Sequence, residues 1–152
     1  MHIRQKQEIE AQFTLKDPIF SIVSRVLESD NAIKFAYLFG SHAKVTSTPK
    51  SDIDIAVYLD NRLNLFTYRL QLMEKFALEL KNKTIDLVVL NSAPILLQYQ
   101  VIHDGILLKD QKKRRVLFET RVLRQYLDFE PLRYTQQAAL KAYFQQEPDY
   151  GQ

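Results

Sequence analysis

With 152 residues, 46% of them apolar, the chain is long enough to bury one ordinary hydrophobic core and too short for two full-sized domains. Its 21 Lys and Arg against 18 Asp and Glu leave a formal charge of +3 without long single-sign blocks, so direct nucleic-acid binding is unsupported. The absence of Cys removes disulfides, thiolate metal sites and cysteine nucleophiles, and three scattered glycines, Gly40, Gly105 and Gly151, cannot form a Walker loop or a Rossmann fingerprint.

The first residues, 1 to about 16, are polar and predicted to fray. Asp17 and Pro18 then give an N-cap and first-turn signal ahead of Ile19, Ile22, Val23, Val26 and Leu27 at helical spacing. Ile33 to Phe39 is aromatic and aliphatic and stops at Gly40, the pattern of a core strand. Ser41 to Lys50 holds few large apolar residues and predicts a brief helical turn followed by a loop. Ser51 to Leu59 alternates Asp-Ile-Asp-Ile before Ala-Val-Tyr-Leu, a second strand with acids on one face.

Leu63, Leu65, Phe66, Leu70, Met73, Phe76, Ala77 and Leu80 repeat every three or four residues and predict a helix over 63–80. Thr84 to Leu90 reads as a third strand, Ile95 to Ile102 as a helix ended by Gly105, and Ile106 to Leu108 as a short edge strand. From Lys112 to about residue 147 the pattern is helical, with a break expected near Pro131 and a second amphipathic stretch through Phe144. The whole chain, 1–152, is thus expected to be a single α/β domain: a small mixed sheet flanked by helices, with a helical C-terminal part. The charged N-terminus and the polar interruptions of the longest uncharged stretch, 87–103, give no secretory signal or membrane span, and a cytoplasmic protein is expected.

The segment from Phe39 to Val57, FGSHAKVTSTPKSDIDIAV, carries the chemistry. Alternation along a strand points Asp52 and Asp54 the same way, about 7 Å apart at their Cα atoms. Two carboxylates so placed repel each other unless a cation or solvent intervenes, and a hard divalent ion such as Mg²⁺ suits an all-oxygen donor set. Asp86 is the single acid in the apolar run 85–90. If the second and third strands are neighbours, three carboxylates can hold two Mg²⁺ about 4 Å apart, an arrangement that serves in-line phosphoryl or nucleotidyl displacement. Gly40 permits close backbone approach, and Ser41 offers a hydroxyl and an amide at a helix start, where polyphosphate oxygens bind well.

Gly40-Ser41, a ten-residue gap and Asp52-x-Asp54 resemble the signature of the DNA polymerase beta-like nucleotidyltransferases. The chain is most similar to the minimal nucleotidyltransferase (MNT) antitoxins of HEPN/MNT toxin–antitoxin modules. The similarity extends to Thr84-Ile85-Asp86-Leu87-Val88-Val89-Leu90-Asn91, to Ala93-Pro94, to Asp104-Gly105-Ile106-Leu107-Leu108 and to Tyr126-Leu127-Asp128-Phe129, covering about residues 20 to 130. The resemblance implies a palm-like sheet that uses ATP and Mg²⁺ to move AMP onto a tyrosine hydroxyl of a partner HEPN ribonuclease. It implies β- and γ-phosphate contacts at Gly40 and Ser41, metal binding at Asp52 and Asp54, and for Asp86 both a metal contact and help in deprotonating the acceptor. Lys44 and Val45 stand where Arg and Gly often follow in the family, so Lys44 keeps the charge for nucleotide binding but loses the bidentate fork.

Two other functions fit the same pattern. One is an antitoxin that masks its toxin by contact alone. The other is an aminoglycoside-type nucleotidyltransferase, disfavoured because little chain follows Asp86 to build an acceptor-binding domain. Elsewhere, His42 is expected at the surface and His103-Asp104 at a polar helix end. Lys109, Lys112, Lys113, Arg114 and Arg115 form a basic cluster at a helix start, read either as a solvated start with Asp110 as its cap or as a contact for nucleotide phosphate or an acidic partner. Tyr126, Phe129 and Tyr134 are expected to pack within the helical part.

Overall fold

The computed structural model describes residues 16–44 and 52–145, leaving out the side chains of His42, Lys44, Tyr143 and Phe144. In chain order the elements are α1 (Pro18–Glu28), β1 (Ile33–Phe39), a 3-10 turn (Gly40–Lys44), β2 (Ile53–Leu59), α2 (Leu65–Glu79), β3 (Ile85–Val89), α3 (Ile95–Asp104), β4 (Ile106–Asp110) and α4 (Lys112–Gln145). The expected loop at Thr48-Pro49-Lys50, the strand start at Ser51 and the polar residues 1–15 lie outside the described residues.

The strands form one mixed sheet in the order β3-β2-β1-β4. β1 runs antiparallel to both β2 and β4, whereas β2 and β3, joined through α2, are parallel. Odd-numbered residues of β2 and β3, from Ile53 to Leu59 and from Ile85 to Val89, face α1 and α2 and join Val23, Leu27, Leu72 and Phe76 in one buried cluster. The opposite face packs Phe35, Tyr37, Ala56 and Leu90 against Val101 of α3 and Phe118 and Val122 of α4. Each fully buried aliphatic or aromatic side chain in these layers contributes about 1.5–3 kcal/mol. The α/β plan with helices on both faces matches the sequence expectation.

Local chemistry sets the element ends. The Asp17 carboxylate accepts the Ile19 amide at 3.0 Å and Pro18 opens α1, as predicted. At the other end of α1 the Lys109 ammonium donates to the carbonyls of Leu27 and Asp30, both at 2.8 Å. α2 begins at Leu65 rather than Leu63, because Asn64 is its N-cap and accepts the Thr67 amide at 3.1 Å. β4 continues to Asp110, two residues beyond the expected edge strand, because Lys109 and Asp110 still pair with Ala36 and Phe35.

The largest departure is α4, a single helix of 34 residues, about 51 Å long, that continues without a break past Pro131. A proline inside a helix loses a hydrogen bond and crowds the preceding turn at a cost of about 3 kcal/mol, which is why a break was expected. Contacts on either side hold the turns together. Tyr126 stacks on Tyr99 of α3 at 3.6 Å between ring centroids, and the Arg133 guanidinium lies 4.4 Å over the other end of this stack, on Tyr126, two turns beyond it. Tyr126 thus packs as expected, but Phe129 and Tyr134 do not; they are 49% and 67% exposed.

The basic cluster also differs from expectation. Asp110 belongs to β4, and instead of capping α4 its carboxylate binds the Arg115 guanidinium at 2.7 Å. Arg115 also reaches Glu119 at 3.1 Å, and the buried Tyr37 hydroxyl donates to the same carboxylate. Burial and the Glu119 carboxylate push the Tyr37 hydroxyl far above its ordinary value.

Candidate active site

Three strand ends meet where the acids lie. In the β1–β2 ladder Phe39 pairs with Asp54, so the turn that starts at Gly40 emerges directly beside that carboxylate. In the parallel β2–β3 ladder Asp54 pairs with Asp86. Side chains paired in this way leave the same face of a sheet, so the two carboxylates stand side by side on neighbouring strands. Asp52 precedes β2 by one residue, and the Ile53 amide already donates to the Thr84 carbonyl at 3.0 Å, so the chain enters the ladder just after Asp52. Asp54 is half-buried, whereas Asp52 and Asp86 are exposed.

Gly40 is required twice over. Its φ of +70° is a left-handed conformation that side chains disfavour, and a Cβ there would lie 2.9 Å from Asp54 Cγ and overlap the carboxylate oxygen. The glycine therefore forms a cradle into which the Asp54 carboxylate fits. Ser41 follows as the second residue of the 3-10 turn and is half-buried. The backbone of Lys44 closes the turn, and the phosphate contact expected of its side chain lies outside the described residues, as does the His42 side chain.

The donor set is carboxylate throughout, which fits a hard, oxygen-loving cation. Placing like charges directly opposite one another in a sheet is destabilising unless something positive is shared between them. Among the described residues no three acidic or imidazole groups are already drawn together at metal-binding spacing. The backbone thus brings Asp54, Asp86 and the Gly40 turn together and leaves Asp52 at the adjacent strand entrance, with the side chains not yet gathered round one point.

Sequence reasoning missed one supporting residue. Arg69 of α2 donates from Nε to the Leu87 carbonyl at 2.8 Å, tying down the edge strand β3 one residue after Asp86. On the helical pattern Arg69 is an ordinary solvated residue, and only the crossover that lays α2 along β3 gives it this role. His103 and Asp104 lie 2.7 Å apart at the end of α3, the polar helix end that was expected. No helix among the described residues is long and apolar enough to cross a membrane.

The family model "Polymerase beta, Nucleotidyltransferase" matches residues 22–114, which span every site residue named above. The protein adenylyltransferase MntA of Shewanella oneidensis is 32% identical over 105 residues, covering 69% of this chain and 74% of that protein. A chain from a crystal structure of a toxin–antitoxin with AMP-PNP superposes with a TM-score of 0.66 at 29% identity, covering 82% of this chain and 98% of its own. A chain from the tri-AMPylated Shewanella oneidensis HEPN toxin in complex with MNT antitoxin superposes with a TM-score of 0.59 at 26% identity, covering 91% of this chain and 98% of its own.

Proposed function

Because this chain belongs to the polymerase beta nucleotidyltransferase family and is related to its MNT antitoxins, we propose that it is a protein adenylyltransferase that moves AMP from ATP onto a tyrosine of a cognate HEPN ribonuclease and so neutralises that toxin. The observation that carries the reading is the pairing of Asp54 with Asp86 across β2 and β3, directly beside the Gly40 turn.

In the reaction the tyrosine oxygen bonds to the α-phosphorus of ATP, the bond from that phosphorus to the bridging oxygen breaks, and pyrophosphate leaves. A tyrosine hydroxyl, with a pKa near 10, is a poor nucleophile at neutral pH. Asp86, exposed at the sheet edge, receives the proton. Gly40 lets the triphosphate approach the backbone closely, and the Ser41 hydroxyl and amide bind its β- and γ-oxygens. Lys44 adds positive charge to the same seat. Asp52, Asp54 and Asp86 are the groups that would hold two Mg²⁺, which when bound supply positive charge to the leaving pyrophosphate. The chain's own contribution is positioning and fixed charge, in the cytoplasm that toxin and antitoxin share.

The test combines the purified chain, ATP, Mg²⁺ and the HEPN protein encoded beside it, followed by intact mass measurement of the toxin. An adenylyl mass increment, lost in the Asp52→Asn, Asp54→Asn double variant and on chelation of Mg²⁺, is expected. A toxin silenced equally well by the double variant, with no mass change, would mean masking by contact and sink the enzymatic reading.

A further inference from the structure

α4 carries eight basic and three acidic residues, a net charge of +5, while the chain as a whole carries +3, so everything outside this helix is net acidic. Arg115 binds Asp110 and Glu119, Arg133 lies on Tyr126, and Arg121 lies 5.2 Å over the Phe118 ring. Arg114 and Arg121 nevertheless keep their charges out of ion pairs. Both are exposed, and neither meets a carboxylate among the described residues.

These two arginines flank a cavity of about 240 Å³ bounded by Tyr58, Leu117 and Phe118. Its floor is rigid. Phe35 and Tyr58 stack at 4.8 Å with rings only 6° from parallel, and Phe118 tilts against both, at 5.3 and 5.2 Å. Leu117, 64% exposed, forms an apolar wall. The cavity therefore has an apolar, preorganised centre and a cationic rim, the pattern that receives an apolar anchor flanked by carboxylates. Arg114 and Arg121 are seven residues apart on one helix, about 10 Å along its axis, which matches acids two turns apart on a facing helix.

We propose that this cleft between β2 and the first turns of α4 docks an acidic amphipathic helix of the protein substrate. The proposal rests on the reading that the chain modifies a protein. Tyr58 lies four residues from Asp54 on the same face of β2, about 13 Å away. A substrate held at Tyr58 and Leu117 therefore keeps its body beside the acids without occupying them. A nucleic-acid partner is disfavoured because the positive charge lies at two points around an apolar centre and does not track along a groove.

The experiment measures the affinity of the full chain for the purified HEPN toxin in the absence of ATP. The variants are Arg114→Glu with Arg121→Glu, and a control with the same change in net charge, Lys112→Glu with Lys113→Glu. Arg114, Lys112 and Lys113 lie in the first turn, where acidic residues are favoured, and Arg121 is exposed; equal denaturation midpoints of both pairs and the wild type check that the fold is kept. The first pair is expected to weaken binding roughly 30-fold or more and to raise KM for the toxin while leaving kcat within about 2-fold; the control is expected to change affinity less than about 3-fold.

Equal weakening by both pairs would reduce the effect to net charge and overturn the docking site, as would unchanged toxin affinity in the first pair. Self-association of the chain alone that the first pair abolishes, or binding of a short single-stranded RNA that it abolishes, with toxin affinity intact, would assign the cleft to another occupant. Binding is measured without nucleotide, so a wild-type chain that binds the toxin yet adds no AMP refutes the enzymatic reading and leaves the docking result standing.

Discussion

The two ends of the sheet are built on opposite electrostatic rules. At the end away from the acids the strand ends are tied by opposite charges: Asp60 lies 2.9 Å from Arg62 and 3.6 Å from Lys34, and the Arg62 guanidinium holds its carboxyl well below the usual carboxylate range. Asn91 accepts the Leu59 amide and donates to the Leu59 carbonyl, both at 2.8 Å, extending the β2 ladder with a side chain. Lys109 and Arg115 lock α1 and α4 to the same end. At the other end Asp54 and Asp86 stand opposite each other, and Asp52 and Asp86 meet no cation among the described residues. A fold that pairs opposite charges at one end and sets like charges side by side at the other accepts a local cost of repulsion, the pattern expected where a site has been built.

The sharpest way to break this contrast is Asp86→Asn. Turnover of toxin is expected to fall about 10³-fold, because both a charge and a proton acceptor are lost. Chemical denaturation of the same variant is expected to show a gain of up to about 1 kcal/mol as the repulsion with Asp54 disappears. A variant that lost activity and also lost stability would show that Asp86 supports the sheet, and the contrast between the two ends would fail.

Gly40→Ala probes the cradle. The left-handed backbone and the overlap with Asp54 together are expected to cost about 2–3 kcal/mol, seen as a lowered denaturation midpoint, with nucleotide affinity lost at the same time. The well-paired end gives the smallest effect, through pH. The Tyr37 hydroxyl is raised above its ordinary value of 10.0, so the folded state keeps a proton that the unfolded chain releases above pH 10. Its contribution is complete below pH 10 and is lost as pH climbs toward the folded value. Tyr68, raised by burial and by Asp30, acts in the same direction. In urea titrations above pH 10, Tyr37→Phe is therefore expected to show roughly half the wild-type loss of stability per pH unit.

Much of this was legible from local pattern. Alternation placed Asp54 on its face of β2, the lone acid in an apolar run marked Asp86, and the end of β1 marked Gly40, because each signal lies within a few residues of chain, whereas Asp52 falls just before the strand. The pairing of Asp54 with Asp86 was not legible, since strand neighbours and register are settled by packing between distant segments. The same limit hid Arg69 on the Leu87 carbonyl and Lys109 at the end of α1, and it turned Asp110 from an expected cap into an ion-pair partner. Pro131 misled for a related reason: intrinsic preference predicts a break, and the stacking of Tyr99, Tyr126 and Arg133 overrides it.

The close fit of Gly40 against Asp54 has a mechanical consequence. With no free space between the backbone of the turn and the carboxylate, an inward shift of one is transmitted to the other by hard-core contact. The turn and the acid therefore cannot approach more closely, and a ligand that presses the turn inward also displaces the carboxylate.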